Sequence, residues 1–183
     1  MKSNRFGYIN PDGSVRGDYA TWYDMIKALA DEMVEKFTRH NLLEAEYIKR
    51  FGDFYVAHKD VFALDKEGYD GRPTLVHNDL WSPNILVSNK SGEWKIAAII
   101  DAYRALFGDY EYEFALWRGN PDFMEGYRTP LDMSEAGIIK RLGYKMILGV
   151  LNTYVSMVEL NDPAEYEFEK ERLVDSIKQS PEV

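Results

Sequence analysis

Between residues 74 and 100 the chain carries three short apolar runs, 74–77, 85–88 and 95–100, each aliphatic or β-branched and none longer than six residues. Runs this short read as strands, and they limit the β-structure to a small patch. The stretch Asn89-Lys90-Ser91-Gly92 separates the last two as a hairpin turn would. On either side the period is helical. Tyr23, Ile26, Ala30, Met33 and Phe37 fall at steps of three and four, which predicts an amphipathic helix over about 19–39. Leu43, Tyr47, Phe51 and Tyr55 predict a second over about 43–58. Asp132 with Glu135 three residues on reads as a capping-box start for a central helix over 132–160, and Asp162-Pro163-Ala164-Glu165 opens a last one running to about 179. Residues 5–17, with Gly7, Asn10-Pro11-Asp12-Gly13 and Gly17, predict an irregular lead-in or a tight hairpin; Asp70-Gly71-Arg72-Pro73 predicts a break before the strands. With no linker or repeat visible, the expectation is one mainly α domain over 1–183 with a small β-hairpin patch.

Charge and composition narrow the function. A net charge of −9 argues against phosphate backbones and anionic lipid as partners, so neither nucleic acid nor membrane is expected. Without cysteine there is no disulfide, thiolate catalysis or sulfur-ligated zinc, and His40, His58 and His77 are too few to replace it. His40 and His58, without partners in sequence, read as structural. No apolar run approaches the roughly 20 residues of a spanning helix, and the first residues lack the apolar stretch of a signal peptide, so a cytoplasmic location is expected.

The chemistry is expected at the strand patch. Val76-His77-Asn78-Asp79-Leu80-Trp81-Ser82-Pro83-Asn84-Ile85 sets an aspartate and an asparagine five residues apart on a loop between apolar runs. Phosphoryl transfer needs such a pair: a carboxylate that orients and deprotonates the attacking hydroxyl, and an amide oxygen that can hold Mg²⁺. Ile96 to Ile100 then runs straight into Asp101, a carboxylate expected at the end of a buried strand, where a second metal ligand would stand.

This order of parts, His-x-Asp-x4-Asn, a hairpin, then Ile-Ile-Asp, resembles the catalytic core of eukaryotic-like kinases. Ile100-Asp101-Ala102-Tyr103 in place of Asp-Phe-Gly points away from protein kinases. With Arg104-Ala105-Leu106-Phe107-Gly108-Asp109-Tyr110-Glu111-Tyr112-Glu113-Phe114-Ala115 following, the chain resembles the aminoglycoside phosphotransferase family of small-molecule kinases, kin to the choline and fructosamine kinases. Phe6-Gly7-Tyr8 and Thr21-Trp22 are also similar to segments of that family's C-terminal lobe. The resemblance implies the helical C-terminal lobe of a protein-kinase-like fold, with Asp79 as catalytic base, His77 bracing the loop, and Asn84 and Asp101 binding Mg²⁺ and, through it, ATP or GTP. Asp109 and Glu113 are expected towards the substrate, as is Trp81 from its place inside the catalytic loop. The substrate implied is a small hydroxylated, amine-bearing molecule, and residues 158–183, with eight acidic against three basic side chains, suit a cation.

Three positions depart from the family pattern: Asn78 stands where Gly is frequent, Glu113 where Asp is usual, and Ala102 where an aromatic is common. A fourth departure is an absence. No two glycines stand two positions apart, so the 183 residues hold no Gly-x-Gly phosphate loop, and no strand-rich nucleotide lobe precedes residue 19. The chain is then either part of a longer kinase or a short protein with diminished ATP handling, and by itself it is expected not to turn over. The face such a lobe would cover is expected to be apolar and to favour self-association. A non-catalytic helical binding module that keeps the loop as scaffold is the competing reading.

Overall fold

The computed structural model describes residues 3–10, 12–64, 72–117 and 121–182, so Pro11 of the first expected turn and Asp70-Gly71 of the expected break lie outside the described residues. The chain gathers into two compact units, one from residues 1–22 and 64–131, the other from 23–63 and 132–183.

The first unit is built on two antiparallel sheets. β1 (Phe6–Ile9) and β2 (Val15–Tyr19) form a hairpin, and β6 (Leu106–Gly108) pairs with both β1 and β3 (Thr74–Val76), giving the order β2-β1-β6-β3. Gly13, at φ 84°, closes the hairpin by donating its amide to Asn10 at 2.8 Å. Trp22 seals this sheet, with ring contacts to Phe6 at 5.8 Å and Tyr112 at 5.6 Å. Gly108 has to be glycine here, because a Cβ would come within 2.6 Å of the Trp22 indole. β4 (Ile85–Ser88) and β5 (Lys95–Ile99) form the expected hairpin through the turn at Asn89 to Gly92, as a separate two-stranded sheet. The run at 74–77 therefore belongs to the larger sheet, not to one patch with the other two.

The expectation of a buried strand before Asp101 is corrected. Ile96 is 64% exposed and Ile99 50%, because among the described residues nothing covers this face of a lone hairpin. Leu86, Val87, Trp94 and Ile100 are exposed beside them. Short 3-10 turns at Ser82–Asn84, Ala102–Arg104 and Tyr110–Glu113 link the strands to α3 (Phe114–Trp117) and α4 (Pro121–Tyr127).

The second unit is helical. It takes α1 (Trp22–His40) from residue 23 onward, α2 (Ala45–Ala57), α5 (Glu135–Tyr154), which runs on through a π-turn at Val155–Glu159, and α6 (Pro163–Gln179). Phe37, Phe51, Phe54, Tyr55, Phe62, Tyr144, Leu173 and Ile177 form its core. Tyr55 satisfies its buried hydroxyl by donating to the Gly143 carbonyl at 2.7 Å. Asp162 caps α6 as expected, accepting from the amides of Ala164 and Glu165. The start of α5 differs: Ser134 is the cap, accepting from Gly137, while Asp132 accepts from the Ser134 amide instead. Both are good capping residues, and the turn geometry around Ser134 decided between them. None of the described helices is long and apolar enough to cross a membrane.

Candidate active site

His77, Asp79, Trp81, Asn84, Asp101, Asp109 and Glu113 all lie in the first unit, while the acidic residues of 158–183 lie in the second. β3 ends at buried Val76, anchored opposite Leu106, and the chain leaves it through His77 and Asn78. Asn78 takes the left-handed conformation at φ 59°, where Asn is among the few side chains tolerated, which accounts for Asn or Gly being suitable there. Its side chain donates to the Arg104 carbonyl at 3.3 Å.

The loop hangs on one buried carboxylate. Glu113 Oε2 accepts the amides of His77 at 2.7 Å and Asn78 at 3.3 Å, from 36 residues away in the case of His77. His77 Nε2 lies 3.0 Å from the Ile100 carbonyl, so in the tautomer protonated there it donates to the residue before Asp101. Two turns later, the Asn84 side-chain amide donates to Asp79 twice, to the backbone carbonyl at 2.8 Å and to Oδ2 at 3.1 Å. The Ile100 amide in turn donates to the Asn84 carbonyl at 3.0 Å. Asp79, Asn84 and the approach to Asp101 are thus laced together by hydrogen bonds from both sides.

These bonds also decide which oxygens are left. With the Asn84 nitrogen committed to Asp79, Oδ1 is the Asn84 atom that can face a cation. Asp101 is exposed and held in the left-handed region at φ 64°, outside the ladder that ends at Ile99. Among the described residues no group of three His, Asp or Glu side chains gathers as a metal centre. An amide oxygen and one carboxylate are a hard, incomplete donor set. Such a set fits Mg²⁺, which takes one or two protein oxygens and fills its remaining positions with water and substrate phosphate.

Asp109 and Glu113, expected near substrate, are enclosed. Asp109 is fully buried and caps the turn at Tyr110–Glu113 by accepting from the Glu111 amide at 3.1 Å. Glu113 is 5% exposed, and its Oε1 has no hydrogen-bond partner among the described residues. Glu113 holds the catalytic loop from within, and Asp109 holds the turn that carries Glu113. Trp81, by contrast, is half exposed on the loop itself. Beside Glu111 and Asp109, burial pushes the Tyr110 hydroxyl up to about 12, so it stays a donor, to the Pro130 carbonyl at 2.9 Å.

Burial holds the Glu113 carboxyl above its ordinary value of 4.5, with the amides of His77 and Asn78 pulling the other way. The folded chain therefore binds this proton more tightly than the unfolded one. Glu113's contribution to stability is full below pH 4.5 and declines as pH rises through its folded-state value. Glu113→Gln, neutral throughout, removes that decline. Denaturant unfolding should show the variant gaining on the wild type as pH rises above 4.5; a constant difference, or one moving the other way, would show that burial does not raise the Glu113 carboxyl.

Arg104 is the site residue that motif spacing did not single out. Its Nη1 stands 3.8 Å from Asp79 Oδ1, both side chains about four-fifths buried. The only signal in the sequence was its place three residues after Asp101, inside the turn Ala102–Arg104.

Comparison with known proteins shows the family and the fold. The model of a phosphotransferase enzyme family matches residues 18–132. Hygromycin-B 4-O-kinase of Escherichia coli is 28% identical over 168 residues, covering 87% of this chain and 45% of that protein. A thermostable mutant of the aminoglycoside phosphotransferase APH(4)-Ia in its apo form superposes with a TM-score of 0.66 at 26% identity, covering 94% of this chain and 57% of that one. A ternary complex of that enzyme with ADP and hygromycin B shares the fold at a TM-score of 0.67 and 23% identity, covering 97% and 58%. The chain spans about half the length of these relatives. Matched from residue 18 through the Asp79 loop and the Asp101 turn to residue 132, the chain belongs to the phosphotransferase enzyme family.

Proposed function

We propose that this chain is the catalytic and acceptor-binding lobe of a small-molecule kinase that transfers the terminal phosphate of ATP or GTP to a hydroxyl of an amine-bearing, aminoglycoside-like molecule. One observation carries the reading: the double hydrogen bond from Asn84 to Asp79, which fixes a carboxylate beside an amide oxygen, with Asp101 tied alongside through Ile100 and Asn84.

In this reading Asp79 accepts the proton of the acceptor hydroxyl as its oxygen bonds to the terminal phosphorus and the bond to the nucleoside diphosphate breaks. Asn84 Oδ1 and the Asp101 carboxylate would hold Mg²⁺, which neutralises phosphate charge when bound. His77 and Glu113 hold the loop so that these groups need little reorganisation. The bound partners named for a solved structure similar to this chain, ADP and hygromycin B, supply the substrate class proposed here.

The test is a phosphotransfer assay on this chain fused to the part of hygromycin-B 4-O-kinase that it does not match. ATP-dependent phosphorylation of hygromycin B or another aminoglycoside is the expected result. A folded fusion that binds nucleotide yet phosphorylates no amine-bearing alcohol would favour the binding-module alternative.

A further inference from the structure

Trp81 stands two residues beyond Asp79, and its backbone is fixed. Its carbonyl accepts the Asn84 amide at 2.9 Å, and Pro83 stiffens the turn Ser82–Asn84 that follows. The side chain has no such anchor. The indole is 52% exposed, and among the described residues it makes neither a hydrogen bond nor a ring contact. It therefore offers an aromatic face and an N–H donor to a ligand. Tyr103, exposed two residues after Asp101, differs: the Arg104 guanidinium already lies over its ring at 5.1 Å.

Reach and charge identify that ligand. Two residues of backbone span at most about 7 Å, while an acceptor hydroxyl hydrogen-bonded to Asp79 lies about 2.7 Å from the carboxylate. An indole anchored this close can cover another part of the molecule that carries the hydroxyl. The carboxylates of Asp79 and Asp101 favour a cation there, and an indole face is the best aromatic surface for an ammonium group, which it attracts within about 6 Å of the ring centroid. Resting on the kinase reading above, we propose that Trp81 is a specificity-determining residue, which selects amine-bearing acceptors by covering an ammonium group of the molecule whose hydroxyl Asp79 activates. The ring meets the acceptor and not the nucleotide, and it takes no part in the proton transfer. An acceptor whose amines are acetylated has lost the charge and with it the attraction.

The test separates acceptor from nucleotide and charge from bulk. Hygromycin B, its N-acetylated derivative and Mg-ADP are each titrated calorimetrically into the 183-residue chain as wild type, Trp81→Leu and Trp81→Phe. The wild type should bind hygromycin B more tightly than the acetylated compound. Trp81→Leu should lose about tenfold in affinity for hygromycin B, but less than twofold for the acetylated compound and for Mg-ADP, with Trp81→Phe between. Equal losses for the two forms of hygromycin B would show that the indole packs on the molecule without reading its charge. A loss shared by Mg-ADP would show that Trp81 only props the loop, and no loss at all that it stands outside the site; each of these overturns the inference and leaves the kinase reading standing. A wild-type chain that binds Mg-ADP and no hygromycin B overturns the inference, and one that binds neither overturns the kinase reading with it. Should Trp81→Leu fail to fold, the comparison of Trp81→Phe with wild type across the same three ligands decides.

Discussion

Asp79→Asn in the fused protein is expected to lower phosphotransfer by roughly 10²- to 10⁴-fold, the range that removal of a positioned general base costs. The change keeps the size of the side chain and an oxygen able to accept from the Asn84 amide, which now bonds Oδ2 at 3.1 Å. What it removes is the group that takes the hydroxyl proton, together with the negative charge that faces Arg104. The pair is long at 3.8 Å but about four-fifths buried, so its loss should cost stability on the order of 1 kcal/mol or more. Nucleotide affinity should be unchanged, because in the proposed function Asp79 meets the acceptor hydroxyl and not the nucleotide. The informative readout is therefore a fall in kcat of two orders of magnitude or more in a protein that still unfolds cooperatively, with its midpoint lowered by only a few degrees. Retention of more than about a tenth of wild-type turnover would show that Asp79 is not the base, and the loop would need another reading.

Much of this site could be read from sequence because its order is local. Asp79 and Asn84 sit on one loop, and their five-residue spacing is what lets the Asn84 amide reach back to the Asp79 carbonyl and carboxylate. The helices were legible for the same reason: the stripe from Tyr23 to Phe37, and Asp162-Pro163 at the head of α6, act within a few residues. What escaped depends on distant partners. β6 is three residues long and has no period of its own; it is a strand because β1 and β3 flank it. Nothing near Glu113 in sequence announces that its carboxylate would carry the amides of His77 and Asn78. Arg104 stood in plain view in the motif, yet its approach to Asp79 required the left-handed backbone at Asp101 and the turn after it. The exposed β4–β5 hairpin shows the limit of composition: apolar, β-branched residues predict a strand correctly and its burial wrongly, since burial depends on what lies against it.

The 183-residue chain by itself is expected to show no steady phosphotransfer from Mg-ATP to an aminoglycoside, and fusion to the unmatched part of its relative should restore turnover. The reason lies in how the work is divided. Catalysis of phosphoryl transfer is almost entirely positioning and charge stabilisation, and placing the reactants is worth about 7–11 kcal/mol in favourable cases. In the function proposed above, this chain would supply a base and two oxygens suited to Mg²⁺. It has no Gly-x-Gly loop to fold over the phosphates, and among the described residues the hairpin between Asn84 and Asp101 is exposed. A nucleotide held chiefly through Asn84 and Asp101 would keep its triphosphate hydrated and mobile, and the in-line geometry would be rarely sampled. Binding should survive in weakened form while turnover does not, a split that calorimetry and a coupled ADP-release assay separate on the same sample. Steady ADP release dependent on the aminoglycoside, abolished by Asp79→Asn in the unfused chain, would show that these residues position the phosphates unaided and that the division of labour drawn here is wrong.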